Sequence, residues 1–318
     1  MMNLKLSLSK KLINNNCVFD KIIFLAGDAS NRKYFRLHNN NRCDVVMYDN
    51  SKDNCIESFI NKTHILERFK LRVPQIYKKF ISDGILIIED FGDNKYSTIL
   101  NKKNEEELYL LAIDSLIYLH DLKDNFDLEF YDKKKLFSEV SLFFDWFLPF
   151  NEKSINSKEK KRIINYLDQL FDILNGSKNV LVHRDYHVDN LFYLINQEGT
   201  KKCGWIDYQD ALMGPAVYDL MSLLEDARRE ININLKNKLI NYYVKKAKIK
   251  HKDLFHSSFK IMAIQRHLKV LGVFSRLYTR DNMPQYKIHL PRVKKYLISN
   301  FEDEYLQELG EIIIPLLK

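Results

Sequence analysis

Between the apolar, β-prone flanks of VLVHRDYHVDNLFYL, residues 180–194, the chain places His183, Arg184, Asp185, His187, Asp189 and Asn190. Asp185 and Asn190 are five positions apart, and Asp207 follows seventeen positions later at the end of the short predicted strand KCGWID. Two carboxylates and an amide in this order suit phosphoryl transfer. One Asp orients or deprotonates the acceptor hydroxyl, while an Asn and a second Asp hold Mg²⁺ on the nucleotide phosphates. HRDYHVDN fits the pattern H-R-D-x-x-x-x-N found in catalytic loops of that chemistry. Mg²⁺ takes hard oxygen ligands, and a loop between buried strands can aim several at one point. Asp185 is therefore the candidate base, and Asn190 and Asp207 are the candidate metal ligands. His187 is a candidate contact to the γ-phosphate or the acceptor, and His183 and Asp219 are candidate braces of the loop. Asp and Asn are also ordinary turn formers, but a plain turn does not explain the order strand, loop, strand, Asp.

Such a loop needs a scaffold, and the first ninety residues read as strand-rich. KIIFLAGDASNRKYFRL is two strands around a polar turn, CDVVMYD is a third, and QIYKKFI and GILIIED follow a helix over NCIESFINKTHILERFK. From about Glu105 helical periodicity dominates to the C-terminus. The expected fold class is α+β, with a nucleotide-binding sheet lobe at 1–90, a connection near Glu89 to Asp93, and a helical lobe at 91–318 carrying the catalytic loop, metal and acceptor sites.

Bulk properties narrow the partners. The net charge of +8 is local, because residues 221–318 carry 19 basic against 10 acidic side chains while residues 1–220 are close to balanced. No nucleic-acid module is recognisable, so no nucleic-acid partner is expected. The four cysteines are widely spaced with no C-x-x-C, which points to a reducing cytoplasm rather than a disulfide framework or a zinc site. Apolar runs such as IIIPLL are far too short to span a bilayer, so no membrane partner is expected, and the chain is expected to act as a monomer.

The blocks LAGDASNRKYFRL, VHRDYHVDNLF and IDYQDALMGPAVYDLMSLLEDAR, with the basic segment from Gln265 to Leu297, resemble the aminoglycoside phosphotransferase and choline kinase superfamily of protein-kinase-like enzymes. The similarity is strongest to its bacterial kinases acting on the anomeric position of N-acetylmuramate and N-acetylglucosamine. It implies a bilobal protein-kinase-like fold, ATP and Mg²⁺ as cofactors, and a small-molecule amino-sugar acceptor. It also implies that backbone groups near Glu89 and Phe91 contact adenine. Asp207 is followed by Tyr208 rather than by the D-F-G of protein kinases.

One departure is the third strand, where Val45, Val46 and Met47 stand and the expected lysine is absent. The turn before the second strand offers substitutes: backbone N–H groups at Ser30 and Asn31, and cations at Arg32, Lys33 or Arg36. Glu57 reads as a surface carboxylate, with the helical glutamate of a rearranged ion pair as the alternative. In the basic segment Arg266, Lys269, Arg276 and Arg280 share one helix face, read as solvated, with a substrate role as the alternative. Arg184, Asp189 and Arg266 are assigned to the acceptor. The positive charge of this region disfavours cationic acceptors. Two other functions remain open: a kinase of another small hydroxyl acceptor, or a non-catalytic nucleotide-binding scaffold.

Overall fold

The computed structural model describes residues 2–27, 32–40, 42–49, 51, 55–122 and 126–318. Its elements run α1 (Met2–Asn14), β1 (Lys21–Ala26), β2 (Lys33–Asn39), β3 (Arg42–Tyr48), α2 (Cys55–Arg68), β4 (Ile76–Phe80), β5 (Ile85–Glu89) and α3 (Tyr96–Ile99). Next come α4 (Glu105–Asp121), α5 (Lys133–Leu142), α6 (Leu148–Phe150), α7 (Ser157–Ile173), β6 (Asn179–Val182), β7 (Leu191–Tyr193), β8 (Cys203–Trp205) and β9 (Leu212–Pro215). The chain closes with α8 (Val217–Leu224), α9 (Ile233–Lys246), α10 (Lys252–Thr279), α11 (Leu290–Asn300) and α12 (Gln307–Leu317). It divides into two compact units, one of residues 1–100 with 190–210 and one of residues 101–189 with 211–318.

In the first unit an antiparallel sheet runs in the order β1, β2, β3, β5, β4. The alternating apolar residues of β1 and β2 face one core, where Ile22, Phe35, Leu37, Val46, Ile85 and Ile87 are buried. The helix α1 covers that core with Leu8 and Leu12, which are 1% and 0% exposed. Nothing in the strand reading anticipates α1, although Leu4, Leu8 and Leu12 recur at helical spacing. Burying two leucines contributes on the order of 1.5–3 kcal/mol each. The helix α2 buries Ile56, Phe59, Ile60, Thr63 and Leu66 and leaves Glu57 exposed, as its periodicity requires.

In the second unit β6 pairs antiparallel with β9, and the helices gather around α10. This 28-residue helix is apolar on nearly every side, burying Phe259, Met262, Ile264, Leu268, Leu271 and Phe274 among others. Such a helix must be central, and α5, α8 and α11 all pack on it. The α5 chain continues through a π-helical turn, Phe143–Phe147, an element absent from the sequence reading along with α5 and α11. Among the described residues no helix is long and apolar enough to cross a membrane.

The contact of α10 with α5 depends on a glycine. A Cβ at Gly272 would lie 2.3 Å from the Leu142 carbonyl carbon and 2.4 Å from its oxygen, so backbone, not a side chain, would have to yield. Gly272→Ala is expected to lower stability by about 1–3 kcal/mol through overpacking, measured by chemical denaturation.

Candidate active site

The loop after β6 is held by a carboxylate from α8. Asp219, fully buried, accepts the backbone N–H of His183 through Oδ2 at 2.6 Å and that of Arg184 through Oδ1 at 3.0 Å. Burial pushes its carboxyl up to about 6 against the pull of His183 and of these two bonds. The next residue is strained: Arg184 has φ +74°, a conformation L residues adopt at a cost of order 1–3 kcal/mol. His183 Nδ1 accepts the N–H of Asp185 at 3.3 Å, drawing the chain into a tight bend. His187, two residues on, is 4% exposed.

Arg184 is fixed by a second buried carboxylate, Glu139 on α5. Its guanidinium bonds Glu139 Oε1 and lies 5.1 Å above the Tyr131 ring. Lys269 on α10 reaches the same Oε1 at 2.8 Å, while Gln265 Nε2 donates to Oε2 at 2.9 Å and the Tyr131 hydroxyl also donates to Oε2. Burial alone would push the Glu139 carboxyl up, but Lys269 and Arg184 outweigh it and hold it down at about 2. The same balance governs Asp185. Its burial favours the neutral acid, yet Lys269, Arg266, His183 and Arg184 together keep its carboxyl below the ordinary value. An ionised carboxylate there can accept a hydrogen bond from a hydroxyl.

Residues 190–210 form the hairpin of the first unit that carries the candidate metal ligands. The β7–β8 ladder pairs Leu191 with Trp205, and Ile206 N–H donates to the Asn190 carbonyl at 3.0 Å. Asn190 and Asp207 therefore stand on the two chains at the open end of one ladder. Asp207 has φ +63°, and its Oδ1 accepts Gln209 Nε2 at 3.1 Å. Tyr208 anchors the strand end: its hydroxyl bonds Thr63 Oγ1 at 2.8 Å, and its ring stacks on Phe59 at 5.2 Å. An amide oxygen and a carboxylate at the end of one rigid hairpin are the hard donors Mg²⁺ requires.

The residues expected at the nucleotide divide. Ser30 and Asn31 lie outside the described residues. Arg32 is 9% exposed and stands 3.7 Å from Asp207. Arg36, by contrast, is committed within the sheet unit, bonding Asp90 at 2.5 and 3.1 Å, Asp93 at 2.9 Å and the Gly92 carbonyl at 3.2 Å. It ties β2 to the segment after β5. In that segment the Glu89 side chain pairs with Arg72, and Phe91 meets Phe192 edge-on at 5.8 Å. The Asn94 carbonyl accepts the Tyr193 N–H at 2.8 Å, so the hairpin and this segment are one piece.

Of the residues expected at the acceptor, Asp189 bonds Arg228 Nε at 3.0 Å and Arg184 is taken by Glu139. The solvated basic face expected for α10 is corrected: of its four cations only Arg280 is exposed, Lys269 and Arg276 are partly buried, and Arg266 is 4% exposed. The reason is tertiary, since helices pack on α10 from several sides. Sequence reading missed Glu139, Asp226 and Arg228. Glu139 sits in an unremarkable amphipathic stretch and carries no signal, whereas the EDARR run after α8 was visible as an acidic and basic cluster.

The family model of the phosphotransferase enzyme family matches residues 21–250. An N-acetylmuramate/N-acetylglucosamine kinase of Pseudomonas putida is 32% identical over 92% of this chain and 87% of its own length. Another kinase of the same name, from Neisseria meningitidis serogroup B, is 31% identical over 87% of this chain and 84% of its own. Among solved structures, a GDP complex of aminoglycoside 2'-phosphotransferase-IIIa superposes with a TM-score of 0.68 at 14% identity, covering 93% of this chain and 99% of that one. A choline kinase from Streptococcus pneumoniae gives 0.65, also at 14% identity, over 93% and 99%. The likeness to these structures is one of fold, a protein-kinase-like arrangement of a sheet-bearing unit and a larger helical one. With the family model spanning well over half the chain and a relative above 30% identity covering nine-tenths of it, the chain belongs to the phosphotransferase enzyme family.

Proposed function

We propose that this phosphotransferase is an ATP-dependent kinase of an N-acetylated amino sugar, and that it phosphorylates the anomeric hydroxyl. The observation that carries the reading is Asp185, held ionised on a loop whose backbone is pinned by Asp219 and whose neighbour Arg184 is pinned by Glu139. The names of the relatives, kinases of N-acetylmuramate and N-acetylglucosamine, support the acceptor class. The same reading has a monomer working in the cytoplasm on small molecules, with no nucleic-acid or membrane partner.

In this mechanism Asp185 accepts the hydrogen bond of the acceptor hydroxyl and orients its oxygen for attack. A carboxylate held below its ordinary pKa is a weak base, so positioning is its main contribution. The anomeric hydroxyl, the most acidic on a sugar ring, suits such a partner. Asn190 and Asp207 would hold Mg²⁺, which supplies charge neutralisation at the phosphates when bound. Arg32, beside Asp207, is the described cation best placed in its unit to stand in for the lysine missing from β3. His187 serves as a further contact to phosphate or acceptor, while Glu89 and Phe91 belong to the adenine-contacting segment.

Asp185→Asn is expected to lower kcat by about a hundredfold or more while nucleotide binding persists. Asp207→Ala should instead weaken Mg·ATP binding at least about tenfold by calorimetry, and unchanged binding would refute its assignment as a ligand. Glu139→Gln leaves Arg184 and Lys269 without their shared anion and should cost about 3 kcal/mol at neutral pH. Because the folded carboxyl lies below its unfolded value, that difference is full above about pH 4.5 and closes as pH falls toward 2, which acid-dependent denaturation curves would display. The position of transfer is read from the product. A sugar 1-phosphate no longer reduces alkaline copper, and the borohydride-reduced alditol should not be consumed; a reducing product would move the phosphate to another hydroxyl.

A further inference from the structure

The carboxylate assigned to the metal has a neighbour that holds it. Gln209, two residues on and 5% exposed, turns its amide nitrogen between two carboxylates, donating to Asp207 Oδ1 at 3.1 Å and to Asp210 Oδ2 at 3.2 Å. Both N–H bonds of that nitrogen are thereby used. The reverse orientation would set Oε1 against two anionic oxygens at the same short range, so electrostatics fixes which end of the amide faces them. Oε1 is left buried and, among the described residues, without a hydrogen bond.

A buried acceptor with no donor is destabilising, and an apolar side chain of similar shape would remove that cost. Water can serve the two carboxylates in place of the amide, because the Asp207 side chain is 38% exposed and Asp210 is exposed. Stability therefore gives little reason for a glutamine here, whereas orientation does. The Gln209 backbone carbonyl accepts Ser58 Oγ from α2 at 3.1 Å, and Tyr208 beside it bonds Thr63 and stacks on Phe59 of the same helix. The amide is thus mounted on a rigid support. Asp207 has φ +63°, a conformation that an L residue holds only when its surroundings impose it, and Arg32 stands 3.7 Å from the same Oδ1. A hydrogen-bonded carboxylate ligand takes up a metal more tightly than a freely rotating one, because its orientation is already set. A neutral amide provides that bond without cancelling the charge a dication needs.

We propose that Gln209 is a positioning residue for the metal, its amide holding the Asp207 carboxylate in the orientation that receives Mg²⁺. The inference rests on the assignment of Asp207 as a ligand and deepens it. Gln209 acts through Asp207 and takes no part in the chemistry.

The experiment measures metal affinity and stability side by side. Binding of Mn²⁺, standing for Mg²⁺, is followed by electron paramagnetic resonance with a non-hydrolysable ATP analogue present, and each variant is unfolded in urea. Gln209→Met and Gln209→Leu remove both polar ends of the amide. Each should weaken Mn²⁺ binding by about tenfold or more and raise the Mg²⁺ concentration for half-maximal rate in step, with the unfolding midpoint unchanged or higher. Unchanged affinity overturns the proposal. An affinity loss matched by a lower midpoint, or failure of both variants to fold, would mark a structural role and overturn it too. Asp210→Asn leaves the bond to Asp207 in place and should change the affinity by less than about threefold; a shift as large as that of Gln209→Met would make Asp210 the carboxylate that matters and sink the inference. In an Asp207→Ala background Gln209→Met should add less than about a twofold loss, because the group it acts through is gone, and full additivity would place its effect elsewhere. If Asp207→Ala itself binds Mn²⁺ as tightly as the parent, the ligand assignment has failed and the inference falls with it. If Asp207→Ala binds weakly and Gln209→Met does not, the inference alone fails.

Discussion

A carboxylate that cannot reach water, Asp219, is satisfied by two backbone N–H groups at the start of the 183–190 loop, and the geometry of that loop depends on this contact. A buried acceptor without donors would be expensive, so the loop and the helix that carries Asp219 stabilise each other. The apolar β6, paired with β9, brings the loop to that helix. Once His183 and Arg184 are fixed, the positive φ of Arg184 follows, and the strain is tolerated because Glu139 and Tyr131 hold the side chain.

Glu139 is a second constraint of the same kind. One carboxylate receives two cations, an amide and a phenol, and it couples α5, α10 and the loop into one electrostatic unit. Such a network is costly to disrupt, since removing any partner leaves the others charged and buried. It also changes how the basicity of the C-terminal region should be understood. Within the second unit Lys269, Arg228 and Lys236 each pair with a carboxylate, Glu139, Asp189 and Glu225 respectively, so part of the positive charge of residues 221–318 is neutralised locally.

The sheet unit applies a different device. A short hairpin, β7 and β8, presents Asn190 and Asp207 at its open end, and it is anchored through Tyr208 to Thr63 and Phe59 of α2 and through the Trp205 N–H to the Arg72 carbonyl. Phe91 packs so closely on Gly204 that an added Cβ would lie 2.7 Å from its ring. Arg36 spends its charge on Asp90 and Asp93, which leaves Arg32 as the buried cation next to Asp207.

The sequence by itself determined the strand segments of the first unit, most of the longer helices and the residue types at the candidate site, whereas the order of the strands in the sheet came from the tertiary structure. These are carried by local signals: short β-prone apolar runs around polar turns in β1 to β3, apolar periodicity in α2 and α4, and the fixed spacing of HRDYHVDN. It did not disclose α1, whose leucines become meaningful only against the face of the sheet. Nor could it place the Glu139 carboxylate, because a glutamate on an amphipathic stretch looks the same whether it faces water or two cations. The α10 face was legible as a stripe of basic residues, yet spacing alone assigns a face and not its environment. Packing of α5, α8 and α11 decided that Arg266 is buried while Arg280 is exposed. Tertiary structure settled these points because burial, and with it the energetic weight of a charge, is a property of what surrounds a residue rather than of its neighbours along the chain.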